Sequence, residues 1–216
     1  MNRFWSRVTA TFAGLLGGTV SASSQTPPSP DHTIIGAPLA DVLKSCDLFT
    51  FFQFEPTGPA KPETNGLQIT PYKPQGEAFR ALVTLHIQTD KQGVIHALSL
   101  YVNREFIDDP KRAIYAADLV KSFLLDAAAT SQDDPVGSLS AEISSRTMKS
   151  AGSAMTVLTA HPLPEPTGPP SPAYQTYAGN SEPATVISGS GKRQIVLSNV
   201  SASGTALLMI VATAKD

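Results

Sequence analysis

Four histidines, one cysteine and two doubled acids are the side chains of this 216-residue chain with the most chemistry to offer. A zinc site needs ligands that converge from one face at fixed spacing, and His32, His86, His96 and His161 form no His-x-x-x-His, nor is there a Cys-x-x-Cys. His86 and His96 fall in two neighbouring strand-like runs. Setting Leu85 opposite Leu98 puts His96 on the apolar face with Ile87 and turns His86 to the other face, so the two do not share an ion. Both read as structural histidines. Asp108-Asp109 and Asp133-Asp134 have the composition of paired catalytic carboxylates or of a cation site. Each pair, however, stands before a proline that opens a helix, where an acid caps free amides and meets the positive end of the helix dipole. No calcium loop with alternating acids and a central glycine occurs.

The run "SGSGKRQ", Ser188 to Gln194, has the look of a phosphate loop. It lacks the first glycine, carries Arg193 where a Ser or Thr would hold the metal, and leads into a strand instead of a helix. No Gly-x-Ser-x-Gly elbow is present. Cys46, in "LADVLKSCDLF", reads as a buried inert thiol. No catalytic, cofactor-binding or metal-ligating residue is nominated, and no cofactor is expected.

These side chains are carried by a chain whose start reads as an export signal. Met1 to Ala22 joins Arg3 and Arg7 to the acid-free apolar run "VTATFAGLLGGTV" and the small-residue ending "VSA", the parts of a secretory signal peptide. The run is too short and too rich in glycine to span a bilayer. The expected location is the periplasm or the exterior, with mitochondrial import the lesser alternative. Without the leader, 14 bases face 18 acids, a net charge of −4. The bases are scattered in ones and twos and form no stripe able to neutralise phosphates, so nucleic acid is not an expected partner. A single cysteine rules out an intrachain disulfide, and packing alone must hold the fold.

Residues 23–35, with "SSQTPPSPDHT", read as a proline- and serine-rich tether, and residues 36–216 as one α+β domain with a sub-boundary near 150–153. A short helix after Pro38 should lead into a strand over "LFTFFQF", Leu48 to Phe54, whose aromatics favour β structure. "LQITPY" reads as an edge strand because of Pro71. Two strands around Asp90-Lys91-Gln92-Gly93 make the clearest hairpin, followed by a helix whose stripe is Ala113, Ala117, Val120, Phe123, Leu124 and Ala127. A second helix follows Pro135, with Leu139, Ile143 and Thr147 or Met148 inward. Beyond Ser150 charges almost vanish, and "AMTVLTAH", "AYQTYA", "ATVISG", "RQIVLSNV" and "TALLMIVATA" read as strands, with hairpins at "SGSGK" and "SASG". The expected fold is an α+β antiparallel β-sheet of hairpins, with one main amphipathic helix and one or two shorter helices on one face.

The pentapeptide Glu55-Pro-Thr-Gly-Pro59 recurs as Glu165-Pro-Thr-Gly-Pro169, but the likeness ends there. It reads as one strand-terminating type I turn used twice. Phe49, Phe51, Phe52, Phe54, Tyr101, Tyr115, Tyr174 and Tyr177 are concentrated on expected strands, more than one core face needs. The expected function is an exported, non-enzymatic binding or accessory module of the envelope that contacts a protein partner or an apolar ligand. The alternative is an envelope hydrolase with a site assembled from distant residues.

Overall fold

The computed structural model describes residues 34–128, 133–150 and 168–215. The leader, most of the tether, His32, His161, "AMTVLTAH" and Glu165–Thr167 lie outside them. The described chain is α+β: eight strands in one sheet, every pairing antiparallel, with helices gathered against one face. Strands β1 (Phe54–Pro56) and β2 (Lys61–Pro62) flank β3 (Gln68–Pro74). Then come β4 (Val83–Thr89), β5 (Ile95–Asn103), β6 (Ala184–Ile187), β7 (Arg193–Ala202) and β8 (Thr205–Ala214), in the spatial order β1-β3-β4-β5-β8-β7-β6 with β2 also on β3. The last third therefore completes the first sheet. Its hairpin strand β8 docks on β5 from Ala97↔Thr213 to Asn103↔Leu207.

Alternation sets the faces. Val83, Leu85 and Ile87 of β4, Leu98, Leu100 and Val102 of β5, Leu208, Ile210 and Ala212 of β8, and Ile195 and Leu197 of β7 all point inward and are at most 1% exposed. Each such Leu, Ile or Val removes enough apolar surface from water to contribute roughly 1.5–3 kcal/mol. Helix α5 (Ala113–Ala128) covers them with the whole expected stripe, Ala113 to Ala127, buried. Asp109 starts it: Oδ1 accepts from Lys111 N–H at 2.9 Å and the backbone oxygen from Arg112 and Ala113. Helix α6 (Pro135–Ser150) packs beside it with Leu139, Ile143 and Thr147 inward. Shorter helices complete the layer: α1 (Leu39–Ser45), α2 (Asp47–Thr50), α3 (Glu77–Arg80), α4 (Arg104–Asp108) and α7 (Pro172–Tyr177).

Several expectations are corrected. "LFTFFQF" is not a strand: Asp47–Thr50 is a helical turn that buries Leu48 and Phe49, Gln53 reverses the chain at φ +53°, and of the aromatics Phe54 alone enters the sheet. "AYQTYA" is helix α7, because Ser171 caps it, accepting from Tyr174 N–H at 3.1 Å, and Pro172 takes the first helical position. "LQITPY" runs on to Pro74 inside the sheet. Pro71 is tolerated because it faces the gap between β1 and β2, where its carbonyl accepts from Thr57 N–H. The β4–β5 register is two residues from the expected one, with Leu85 opposite Leu100 and Val83 opposite Val102. A bulge between Gln88 and Thr89 on one side and Ala97 and Ile95 on the other takes up one residue of the difference, and the tighter turn in which Asp90 N–H donates to the Val94 carbonyl takes up the other. The bulge drives Ile95 into the core and turns His96 out, so His96 is not on the apolar face. The first Glu-Pro-Thr-Gly-Pro is the end of a strand rather than a turn, for Glu55 and Pro56 pair with Lys73 and Tyr72. The packed chain reaches back to Ile34 and Ile35, both buried at the end of the tether segment.

Candidate functional surface

The face of the sheet turned away from the helices carries the outward-pointing alternate residues of each strand. Because paired residues point the same way, the rows can be read across the strands. One runs Pro71, His86, Ser99, Val211, Val196, Thr185; the next runs Thr84, Tyr101, Met209, Ser198; and on the other side lie Ile69, Gln88, Ala97, Thr213, Gln194. Most of these side chains are half-buried. From β4 to β7 the face has no ionised side chain. Its charges sit at the β1–β3 edge, where Glu55 pairs across from Lys73 and Lys61 from Ile69, with Glu63 accepting from Gln88 Nε2 at 2.6 Å.

His86 stands edge-on to the Tyr101 ring, 5.0 Å between centroids. Burial among its neighbours lowers its pKa below the ordinary histidine value, against a weaker opposite pull from Glu63, so the imidazole is neutral at pH 7. It presents a flat, weakly polar tile within an apolar strip.

The remaining chemical candidates are spread apart and engaged. His96 lies at the hairpin turn with Nε2 3.2 Å from Asp90 Oδ2, and Asp90 Oδ1 accepts from Gln92 and Val94 N–H, which closes the turn with Gly93 at φ +82°. Asp108 pairs with Arg104, whose guanidinium also donates to the Tyr177 carbonyl. Asp134 is 3% exposed; Oδ1 caps α6 by accepting from Val136 N–H at 2.8 Å, and Oδ2 accepts from Gly189 N–H at 2.6 Å. The glycine-serine loop "SGSGK" thus closes on a carboxylate of its own chain. Cys46 donates its thiol to Asp126 Oδ2 at 3.0 Å. Burial, then the neighbouring carboxyl, pushes the thiol far above its ordinary value, which makes it a poor nucleophile. Burial likewise raises Asp126.

One further cluster escaped sequence reasoning. Glu142 of α6 accepts from Arg146 Nε at 2.8 Å, from Ser171 N–H at 3.1 Å and from the Ser171 hydroxyl at 2.5 Å, while Arg146 reaches the Gly168 carbonyl and lies over the Tyr174 ring. It fastens α7 and the chain at Gly168 to α6. No three acids, histidines or cysteines among the described residues are grouped to hold a metal ion, and no helix among them is long and apolar enough to cross a membrane.

The open face was also unforeseen as a unit. Its sequence signal lies in "TALLMIVATA", where both phases of one strand are apolar: Leu208, Ile210 and Ala212 inward, Leu207, Met209 and Val211 outward. No family model, no curated protein and no solved structure matches this chain.

Proposed function

We propose that this chain is an exported binding or accessory module of the cell envelope, without catalysis of its own, that presents the open face of its sheet to a partner. The observation that carries the reading is the uncharged, largely apolar strip from Tyr101 through Met209 and Val211 to Val196, on a sheet whose opposite face is already built into the core. An antiparallel sheet that faces only water normally alternates apolar inward with polar outward. Here the outward phase is apolar in its middle, which suits a surface that leaves water on contact. The histidines, acids and Cys46 among the described residues come together in pairs at most, His96 with Asp90 and Cys46 with Asp126, and Asp109 and Asp134 serve as caps, which favours contact over catalysis. The export reading rests on the basic, apolar and small-residue order of the first 22 residues.

A photoactivatable benzoylphenylalanine at position 209, in cells that express the full chain, tests the reading. The same probe at Tyr115, 53% exposed on the helix side, is the control. A discrete adduct at position 209 and none at 115, on a protein whose N-terminus maps to the small-residue stretch at Ala22, is the expected result. No adduct at 209, or equal adducts at both positions, would sink the contact-surface reading, and an intact leader would sink export.

A further inference from the structure

We infer that the occupant of the open face is the same face of a second copy of this chain, in a two-fold dimer. The inference rests on the contact-surface reading above and deepens it.

Size is the first argument. Six adjacent strands, from β3 to β6 in spatial order, run beside one another for about six residues, of which every second side chain, about three per strand, lies on this face. At ~4.8 Å between strands and ~3.4 Å per residue, the face projects over roughly 600 Å² before side-chain relief is counted. That approaches the ~800 Å² of accessible surface that each partner contributes to a stable interface. A small apolar ligand is normally held in a concave pocket, which a sheet face of this breadth does not provide.

Charge is the second. The centre carries none, so nothing repels a copy. At the rim, Glu55 and Lys73 lie at one end of the β1–β3 edge and Lys61 and Glu63 at the other. A two-fold axis lying in the face, along the row of His86, Ser99 and Val211, exchanges the two ends. Lys73 then meets Glu63 of the copy and Glu55 meets Lys61, opposite signs at both contacts. A strongly charged partner would need a face of one sign, which is absent. The edges offer poor competing routes, because Pro56 and Pro62 stand in β1 and β2 and leave gaps in any ladder a second chain would build, and β6 at the other edge is four residues long.

Sedimentation equilibrium of the purified protein tests this. The wild type is expected to be dimeric at roughly 50 µM. Val211→Lys and Met209→Lys, both at outward positions, should each weaken the dimer more than about a hundredfold through buried unpaired charge, with the circular dichroism spectrum of the folded chain unchanged. Lys73→Glu should weaken it about tenfold, and adding Glu63→Lys should restore it. A monomer throughout, or a dimer indifferent to Val211→Lys, overturns the proposal. A monomer that still gives the position-209 adduct with another protein overturns the dimer and leaves the contact surface standing. A monomer with no adduct overturns both.

Discussion

Asp134 offers the sharpest quantitative test, because one carboxylate serves two elements that are 55 residues apart in sequence at their point of contact. Replacing it by Ala removes the N-cap of α6, which costs about 1 kcal/mol. It also takes the charge-assisted partner from Gly189 N–H, a further loss of about 2 kcal/mol. The sum is about 3 kcal/mol. With a urea slope of about 2 kcal/mol/M for a domain of this size, the unfolding midpoint should fall by about 1.5 M. Asp134→Ser separates the two contributions: serine caps as well as aspartate but is too short to reach the loop, so its cost should stay near 2 kcal/mol. Urea unfolding followed by tryptophan-independent circular dichroism measures both. A cost for Asp134→Ala below about 1 kcal/mol, or a serine variant no more stable than the alanine variant, would refute the two-ended role.

Three further outcomes are expected. The folded chain holds the proton of Asp126 through a pH range in which the unfolded chain has released it. Its contribution to stability is therefore fully present below the ordinary carboxylate range and lost as pH rises through its raised value; Asp126→Asn should flatten that fall in urea midpoints taken between about pH 4 and about pH 8. The Ser144 hydroxyl is buried with no hydrogen-bond partner among the described residues, so Ser144→Ala should be neutral or raise stability by about 0.5–1 kcal/mol; a loss of that size would mean the hydroxyl is engaged. Leu85 is fully buried, so Leu85→Ala should cost about 3 kcal/mol in chemical denaturation, whereas Thr84→Ala on the open face should stay within about 0.5 kcal/mol; similar values for the two would contradict the assigned faces.

What could be read from the residues was what local physics decides. The stripe of α5, the acid-proline starts at Asp109 and Asp134, and the turns at Gly93, "SGSGK" and "SASG" each rest on a few neighbouring side chains, and each stands in the structure. What escaped depended on distant partners. The β preference of "LFTFFQF" yields to a helical turn because Leu48 and Phe49 find the core and Asp126 takes the thiol at its start. "AYQTYA" carried a legible cap and helix-opening proline at Ser171 and Pro172, but its aromatic and β-branched composition pointed to a strand. The register of the β4–β5 hairpin turned on a bulge invisible in a run where Val94 and Ile95 are both apolar. The open face is legible strand by strand, yet its rows exist only once β8 lies beside β5.

That last pairing has a consequence for how the molecule comes into being. The two central neighbours β5 and β8 arrive from opposite halves of the chain, with α5 and α6 made in between. As synthesis proceeds, the first half completes its hairpin and its main helix while the nine-residue β5 still lacks the strand at its side. Until the C-terminal hairpin is made, that flank is an unpaired ladder able to accept a stranger, so the folding problem of this protein is one of timing. A chain cut after Ser150 should accordingly yield two fragments, neither folded alone, that rebuild the native sheet when mixed.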